Sequence, residues 1–574
     1  MKDREEVRSL LEGNHRRKSV ILGTVSGVAT TKTALVEYVD RELPAIGLIT
    51  TKSFQVIPNS GNREPVITEP SIGCFGNSVG LRNPGMKAAL RELQGLRERK
   101  TLRALLNISV SASTPEDFII LVKAFGPLAD CIELNFSCPH AAAGYGASIG
   151  CDIHLAAAYM RAIREAVGND FSTLIIPKLT PNVDAIGDIA KALIDAGADG
   201  ISAINTVGPE QYLEPHCGAS ILNNSLDGRG GMSGTWIKER ALASIAEIRN
   251  AVGDQIPIIG MGGVSTGADA AAMILAGADT VGLGSVFGRV HQRDWQAFTN
   301  ALVEDTVSHL NRISFPDSSS GYLRTHTQMD YTPYTITRIV EHSSDVKIFY
   351  TDGSLACRPG QFAFIWLPGV GEKPFSVTEG DPLTFIIKER GPFTHAMMKC
   401  VEGDVIYVRG VYGEGVETAD TKKAVILAGG TGAAVVPSLA KQLKQAGVDI
   451  TIYYGVSGTA DVPLLQDELS AYGTYTAVAD DGKPGRVIEV MAENIHHVED
   501  TAFYTIGPEV FMSKAAAVMA EKGIPDDHIF LSMERLSLCG IGMCGECACG
   551  NRLTCQYGTF MQLDFLKEHS PELL

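Results

Sequence analysis

Short apolar runs alternate with longer amphipathic segments between residues 19 and 290. Runs rich in β-branched residues are typical of buried parallel strands, and helical periodicity between them is typical of the connecting helices. The eight runs are Val20–Ser26, Ala45–Lys52, Ala104–Ser109, Cys131–Cys138, Leu174–Leu179, Gly200–Asn205, Pro257–Gly262 and Thr280–Ser285. Eight such units predict an α/β protein that begins with a closed (β/α)8 TIM barrel, and they disfavour the alternative of an open doubly wound sheet.

Polar residues end several of these runs, among them Ser26, Lys52, Asn107, Asn135 and Lys178. Polar groups at the carboxyl ends of barrel strands indicate an active site. Lys178 stands among apolar residues, where an ammonium group is costly without an anionic partner. A reduced flavin would supply that partner, and so would an ion pair inside the barrel.

The last two runs end in small residues, Gly262, Gly263, Gly284 and Ser285. Exposed backbone N–H groups after these strands commonly bind phosphate in such barrels. A turn that requires positive φ is the alternative.

Cys138 follows the fourth run and precedes a loop with several glycines. A thiol with partial thiolate character at the barrel mouth can act as a general base. A lone cysteine is more commonly an inert buried residue, but the position at a strand end favours the catalytic interpretation.

Residues 18–310 resemble the class 1 dihydroorotate dehydrogenases. The resembling segments include Thr50–Ser53, Gly61–Val66, Asn77–Gly85, Asn135–Pro139, Lys178–Asn182, Ile204–Thr206, Gly230–Gly234 and Ile259–Gly263. The resemblance implies FMN bound by Ser26, Gly27, Lys52, Asn107, Asn135, Lys178, Gly234, Gly262, Gly263, Gly284 and Ser285. It implies orotate bound by Lys52, Asn77, Ser78, Val79, Gly80, Leu81, Asn135, Asn205 and Thr206. Cys138 corresponds to the catalytic base of the family.

The chain departs from that family at His140, where an asparagine usually follows the Cys-Pro pair. Dihydropyrimidine dehydrogenases carry Ser-Cys-Pro-His and a glycine-rich loop at this place. The Asn77–Leu81 segment favours oxidation of dihydroorotate to orotate. The alternative is an NADH-dependent reductase of uracil, thymine or another cyclic amide.

A third possibility is a pure electron-transfer protein whose barrel has lost its activity. The presence of Lys52, Asn135, Cys138 and Lys178 disfavours it.

Residues after 313 follow different patterns. Residues 314–328 are rich in serine and predict a linker. Alternating runs such as Tyr334–Val340, Val346–Tyr350 and Gln361–Leu367 predict a small antiparallel barrel. A glycine-rich turn between an apolar strand and a helix, at residues 424–433, places a diphosphate at a helix N-terminus.

These patterns resemble ferredoxin reductases. Glu372–Val377 is similar to their flavin motif, although the family prefers arginine where Lys373 stands. The resemblance implies FAD bound by Lys373, Pro374, Phe375, Ser376, Gly391 and Thr394, and NAD bound at Gly429, Gly430 and Gly432. The absence of a basic cluster after the second strand of this domain in the sequence favours NAD over NADP.

Cys539, Cys544, Cys547 and Cys555 have four, two and seven residues between them. This is the plant-type spacing for a 2Fe-2S cluster, whereas a structural zinc site, the alternative, favours paired Cys-x2-Cys knuckles. The order of FAD barrel, NAD domain and cluster resembles the electron-transfer subunit of NAD-linked, two-subunit dihydroorotate dehydrogenases over residues 330–565. The chain therefore looks like both subunits fused, with electrons passing from FMN through the cluster and FAD to NAD.

Composition agrees with several large domains. The chain has 574 residues and 45% hydrophobic residues, and its net charge of -17 argues against nucleic acid and anionic membranes as partners. The predicted domains are the FMN barrel at 1–313, the linker at 314–328, the FAD barrel at 329–420, a Rossmann-like NAD domain at 421–530 and the 2Fe-2S domain at 531–574.

The location and assembly of the protein are also predicted. No signal peptide or membrane span is recognisable in the sequence, and 12 cysteines without a secretory context favour the cytoplasm. A homodimer that acts on small molecules is expected.

Overall fold

The computed structural model describes residues 2–136, 147–313, 316–416, 421–458, 461, 463–495 and 500–574. The chain divides into two compact units. The first comprises Met1–Met329 and Ile541–Glu546, and the second comprises Asp330–Gly540 and Cys547–Leu574. Within the described ranges, no helix is both long and apolar enough to cross a membrane. The finer division into four domains stays a prediction.

Eight parallel strands of the first unit close into a barrel, which confirms the predicted (β/α)8 fold. The strands of this unit are β1 (Leu22–Thr24), β2 (Ile46–Thr50), β3 (Ile67–Ser71), β4 (Cys74–Asn77), β5 (Leu105–Val110), β6 (Cys131–Asn135), β7 (Leu174–Lys178), β8 (Ile201–Ala203), β9 (Val207–Gln211), β10 (Arg229–Gly234), β11 (Ile258–Met261) and β12 (Thr280–Leu283). The barrel order is β1, β12, β11, β8, β7, β6, β5 and β2, and β2 pairs with β1 again. Strands β3, β4, β10 and β9 form a separate antiparallel sheet.

Helices precede the barrel strands and connect them. They are α1 (Arg4–Leu11), α2 (Asn14–Arg17), α3 (Thr33–Glu42), α4 (Met86–Arg99), α5 (Pro115–Phe125), α6 (Ala147–Cys151), α7 (Ile153–Val167), α8 (Ile186–Asp195), α9 (Lys238–Val252), α10 (Gly267–Leu275) and α11 (Trp295–Leu310). Every residue of β5, β6 and β7 is buried, because parallel barrel strands are covered on both faces. This burial explains why these strands appear in the sequence as apolar runs without alternation.

Three buried aspartates repeat the same contact around the barrel. Asp130, Asp199 and Asp279 stand just before the barrel strands β6, β8 and β12. Each accepts a hydrogen bond from a backbone N–H near the start of the barrel strand that comes before it in the sequence, namely β5, β7 or β11. Each also pairs with an arginine of the helix that leads into that preceding strand. The pairs are Arg97–Asp130 at 3.1 Å, Arg164–Asp199 at 2.6 Å and Arg249–Asp279 at 2.7 Å. These carboxylates therefore tie neighbouring strands together at their amino ends.

Asp199→Ala is expected to destabilise the protein by about 3–5 kcal/mol, because the buried guanidinium of Arg164 would lose its carboxylate. Asp195→Ala is the matched control, since Asp195 is exposed and its ion pair with Lys191, at 3.5 Å, is exposed too. Its effect should stay below about 1 kcal/mol. Urea unfolding followed by circular dichroism measures both, and equal shifts of the two midpoints would contradict this account of the aspartates.

The second unit begins with an antiparallel β domain, as the sequence predicts. Its elements are β13 (Thr332–Ser343), β14 (Val346–Thr351), β15 (Phe362–Leu367), β16 (Gly371–Ser376), β17 (Glu379–Gly380), β18 (Leu383–Lys388), β19 (Val405–Tyr412) and α12 (Pro392–Met398). The strand order is β16, β15, β19, β13, β14, β18 and β17. The 12-residue strand β13 pairs with β19 through its first part and with β14 through the remainder, so it joins the two halves of the sheet.

A doubly wound sheet follows, which confirms the predicted Rossmann-like domain. The strands are β20 (Lys423–Gly429), β21 (Asp449–Val456), β22 (Thr474–Ala479), β23 (Thr501–Ile506), β24 (Ile529–Ser532), β25 (Ala548–Cys549), β26 (Arg552–Leu553) and β27 (Phe560–Gln562). The helices are α13 (Val436–Gln445), α14 (Gln466–Ser470), α15 (Arg486–Asn494), α16 (Glu509–Glu521), α17 (Thr554–Tyr557) and α18 (Leu563–His569). The order β22, β21, β20, β23, β24 and β27 reverses between β20 and β23, where such sheets bind ligands. Strands β25 and β26 form a separate two-stranded sheet.

Candidate active site

A cavity of about 220 Å³ lies in the first unit at the carboxyl ends of the barrel strands. Most residues that the sequence analysis assigned to FMN and orotate line it. They are Ser26, Gly27, Lys52, Asn77, Val79, Gly80, Leu81, Asn135, Lys178, Asn205, Thr206, Gly234, Gly262, Gly263, Gly284 and Ser285. Ser78 and Asn107 are buried and do not line the cavity. The fold thus brings most of the set together at one place, and the role of each residue stays a prediction.

Hydroxyl and amide groups link the strand ends in the cavity wall. Ser53 Oγ lies 2.9 Å from Ser26 Oγ and accepts a hydrogen bond from Asn135 Nδ2 at 3.2 Å. Asn205 Nδ2 donates to Asn135 Oδ1 at 3.4 Å. These contacts orient both amides. Ser53 is not among the residues predicted from the sequence, although it directly follows Lys52.

Lys178 has an anionic partner within the barrel. Its Nζ lies 3.8 Å from Glu133 Oε1, and both side chains are buried. The Glu133 carboxylate also accepts hydrogen bonds from the hydroxyls of Ser109 and Ser202, each at 2.9 Å. The internal ion pair, one of the two alternatives for Lys178, is therefore present. Lys178 also lines the cavity. The contact of Lys178 with a flavin stays a prediction.

The wall has features that fit FMN. Asn107 Nδ2 donates to Thr50 Oγ1 at 3.1 Å, whereas its buried Oδ1 has no hydrogen-bond partner among the described residues. A buried acceptor of this kind fits a donor of a bound ligand, such as a ring N–H of a flavin.

Gly262 and Gly263 line the cavity with φ of +132° and +75°. Those angles agree with the alternative of a positive-φ turn, and the position agrees with a phosphate site.

The segment Ile541–Glu546 belongs to the barrel unit although it lies near the end of the chain. Its Met543 and Cys544 line the cavity. Ala29 N–H donates to the Met543 carbonyl at 3.0 Å, and Thr31 Oγ1 donates to the Cys544 carbonyl at 3.0 Å. A predicted cluster ligand thus lies in the wall of the predicted flavin cavity.

Glu546 ends this segment and contacts two lysines. Its carboxylate lies 2.6 Å from Lys52 Nζ and 3.5 Å from Lys32 Nζ. Burial alone would raise the pKa of Glu546, but the two ammonium groups outweigh burial, so the pKa is lowered and the carboxylate is charged. The Lys52–Glu546 pair is not predictable from the sequence, because its residues stand 494 positions apart.

Cys138, the predicted base, and His140 lie outside the described residues. The flanking chain is described: β6 ends at Asn135, and Gly150 N–H donates to the Phe136 carbonyl at 2.9 Å. The catalytic assignment of Cys138 stays a prediction.

Three of the four predicted cluster cysteines belong to the second unit, namely Cys539, Cys547 and Cys555, and all three are buried. The Sγ atoms of Cys547 and Cys555 are 3.2 Å apart. Hydrogen bonding with Cys539 and Cys547, together with burial, raises the pKa of the Cys555 thiol. These converging thiols fit a cluster ligand set. Across the described residues, no three His, Cys, Asp or Glu side chains are arranged to hold a single metal ion.

A buried arginine joins the predicted FAD strand to the predicted cluster loop. Arg409 on β19 forms a bidentate ion pair with Glu372 on β16, with N···O distances of 2.6 and 2.7 Å. Its Nη1 donates to the Cys539 carbonyl at 2.8 Å, and its Nη2 donates to the Leu538 carbonyl at 3.1 Å. Both charged side chains are fully buried. The pair therefore fixes the backbone of Cys539, the first predicted cluster cysteine, against strand β16.

The second unit contains a cavity of about 790 Å³. Of the residues predicted to bind FAD and NAD, it is lined by Pro374, Phe375, Ser376, Thr394, Gly429, Gly430 and Gly432. Lys373 and Gly391 do not line it, whereas Arg390 does. Thr394 Oγ1 accepts hydrogen bonds from the backbone N–H groups of Arg390 and Gly391 at 2.7 and 3.0 Å. Arg390, which was not predicted from the sequence, adds a basic side chain to the wall of this cavity.

The closed barrel and the polar groups at its mouth are those of a (β/α)8 enzyme. Residues 15–297 match the family model for dihydroorotate dehydrogenase, and the chain belongs to this family. The catalytic subunit of dihydroorotate dehydrogenase B (NAD(+)) from Methanothermobacter thermautotrophicus is 40% identical over 239 residues, which cover 42% of this chain and 74% of that protein. The corresponding subunit from Methanocaldococcus jannaschii is 38% identical over 265 residues, which cover 46% of this chain and 81% of that protein.

A solved structure of an NADH-dependent reduced ferredoxin-NADP oxidoreductase is also similar, with 24% sequence identity and a TM-score of 0.37. The likeness covers 42% of this chain and 93% of that chain. A TM-score this low supports no conclusion.

Arg409→Met is expected to destabilise the second unit by about 3–5 kcal/mol, because Glu372 would remain buried without its cation. Adding Glu372→Gln should recover part of that loss. Arg338→Met is the control, since Arg338 is exposed and stacks on the ring of Tyr350. Hydrogen–deuterium exchange of β16 and β19 locates the effect, and unchanged protection of both strands in Arg409→Met would contradict the role of this pair.

Proposed function

We propose that the chain oxidises dihydroorotate to orotate and passes the electrons to NAD within one polypeptide. The observation that supports this most directly is the convergence, at one cavity, of the residues that the family resemblance assigns to flavin and orotate. The relatives' names, catalytic subunits of dihydroorotate dehydrogenase B (NAD(+)), agree with this substrate and acceptor. FMN, FAD, a 2Fe-2S cluster and NAD are the proposed cofactors, and a cytoplasmic homodimer is the proposed form.

The first unit would hold the substrate and FMN. The Asn77–Leu81 segment would bind the substrate carboxylate, with the ammonium of Lys52 as its counter-charge. Lys52 and the amides of Asn135 and Asn205 would hold the ring. Cys138 would remove a proton from one ring carbon while the neighbouring carbon loses a hydride, so that a carbon–carbon double bond forms.

The second unit would transfer the electrons onward. When bound, FMN supplies a hydride acceptor, the 2Fe-2S cluster a one-electron carrier and FAD a hydride donor for NAD. Thiolates for the cluster would come from Cys539, Cys544, Cys547 and Cys555. The position of Cys544 in the wall of the barrel cavity supports an exit for electrons at that segment.

The large cavity of the second unit would hold FAD and NAD. Phe375, Ser376 and Thr394 would contact FAD, and Arg390 would add a positive charge near its diphosphate. The glycine turn Gly429–Gly432, which precedes α13, would receive the diphosphate of NAD. Lys373 and Gly391 stay predicted FAD residues that the cavity wall does not include.

The second candidate function is NADH-dependent reduction of uracil, thymine or another cyclic amide, and His140 favours it. Measuring flavin reduction by dihydroorotate and by dihydrouracil, alone and in competition, separates the two candidates. Reduction by dihydroorotate at lower concentration supports the proposal. Reduction by dihydrouracil alone would overturn it in favour of the second candidate.

Cys138→Ser is expected to slow dihydroorotate oxidation by about 10²–10⁴-fold, since a hydroxyl is a far weaker base than a thiolate. Reduction of an artificial dye by NADH needs only the second unit and should stay unchanged. Cys151→Ser, at an exposed cysteine of α6, is the matched control and should affect neither activity. Equal loss of both activities in Cys138→Ser would contradict the assignment.

A further inference from the structure

We propose that Glu546 is a specificity-determining residue that lowers the affinity of the barrel cavity for anionic substrates by neutralising Lys52. The inference rests on the proposed function, because it takes Lys52 as the counter-charge of the substrate carboxylate. It gives a residue of the cysteine-rich segment Cys539–Cys555 a part in substrate choice at the barrel.

The Glu546 carboxylate lies among cations of the first unit. The pair with Lys52, at 2.6 Å, is well buried, with side-chain exposures of 11% for Lys52 and 8% for Glu546. Lys32, at 3.5 Å, is 49% exposed. Because charges interact more strongly where water is excluded, the contact with Lys52 dominates. Arg82 also lines the cavity but pairs with Glu64 at 3.1 Å.

The backbone around Glu546 is held by contacts that do not involve its side chain. Ala29 and Thr31 bind the carbonyls of the two residues before Gly545. Gly545 has φ of +71°, and a Cβ added there would lie 2.5 Å from Thr31 Oγ1. These contacts remain when the carboxylate becomes an amide, so the charge at position 546 can be changed separately from the backbone.

The Lys52–Glu546 pair has different consequences for charged and neutral ligands. A ligand carboxylate must compete with Glu546 for the Lys52 ammonium and is also repelled by the Glu546 carboxylate. A neutral cyclic amide meets neither effect. Glu546 therefore shifts the preference of the cavity from orotate-like anions toward neutral pyrimidines. Removing its charge should raise the affinity for the anion and leave the affinity for the neutral ligand nearly unchanged.

The test compares ligand binding to the holoprotein and three variants. Dissociation constants for orotate, the anionic probe, and uracil, the neutral probe, are measured from their perturbation of the flavin absorption spectrum. Glu546→Gln and Glu546→Ala should bind orotate about tenfold more tightly, with uracil affinity changed less than about twofold. Glu546→Asp keeps the charge and should behave like the parent protein.

Glu304→Gln makes the same chemical change at an exposed position of α11 and serves as the control. Flavin and iron contents of each variant, together with NADH-dependent dye reduction, verify that the folded protein is being compared. A uniform change in affinity for orotate and uracil would indicate a structural effect and overturn the inference.

The outcomes separate the inference from the proposed function. Equal orotate affinity in the parent protein, Glu546→Gln and Glu546→Asp would overturn the inference and leave the proposed function standing. Orotate binding that appears only in Glu546→Gln and Glu546→Ala would support the inference and contradict dihydroorotate as the natural substrate. Failure of every variant to bind orotate would contradict both.

Discussion

Closure of eight parallel strands is the constraint on which the candidate active site depends. In a closed parallel barrel all carboxyl ends lie at one mouth. Lys52 after β2, Asn135 at the end of β6 and Lys178 at the end of β7 therefore line one cavity, although they are far apart in the chain. The buried aspartates tie the strands at their amino ends, so the contacts that support closure do not occupy the mouth.

The cations at the predicted active site are already paired with carboxylates. Lys178 has Glu133, Lys52 has Glu546, and Arg82 has Glu64. Pairing offsets the cost of burying each charge and holds each cation in one position. It also means that an anionic ligand must bind in competition with a protein carboxylate. The affinity of the barrel cavity for anions is then set by the balance of these charges.

Much of the fold could be predicted from the sequence, because its signals are local. Buried parallel strands require continuous apolar runs, and the glycine turn at Gly429 joins a strand to a helix. The pairing of Lys52 with Glu546 could not be predicted, because it joins residues 494 positions apart. Glu133 was hidden within an apolar run, where only the fold shows that it faces Lys178. Lys373, which is predicted to bind FAD, does not line the cavity of the second unit, whereas Arg390 does. The position of a basic residue along a strand does not by itself show whether its side chain reaches a cavity.

The proposed function requires that one chain couples the barrel cavity to NAD reduction. The most direct test adds dihydroorotate anaerobically to the purified holoprotein with NAD and records flavin absorbance and NADH formation together. Flavin bleaching by dihydroorotate, followed by formation of NADH, is the expected result. Bleaching by NADH but not by dihydroorotate would contradict the assigned substrate. Bleaching by dihydroorotate without NADH formation would contradict the coupling.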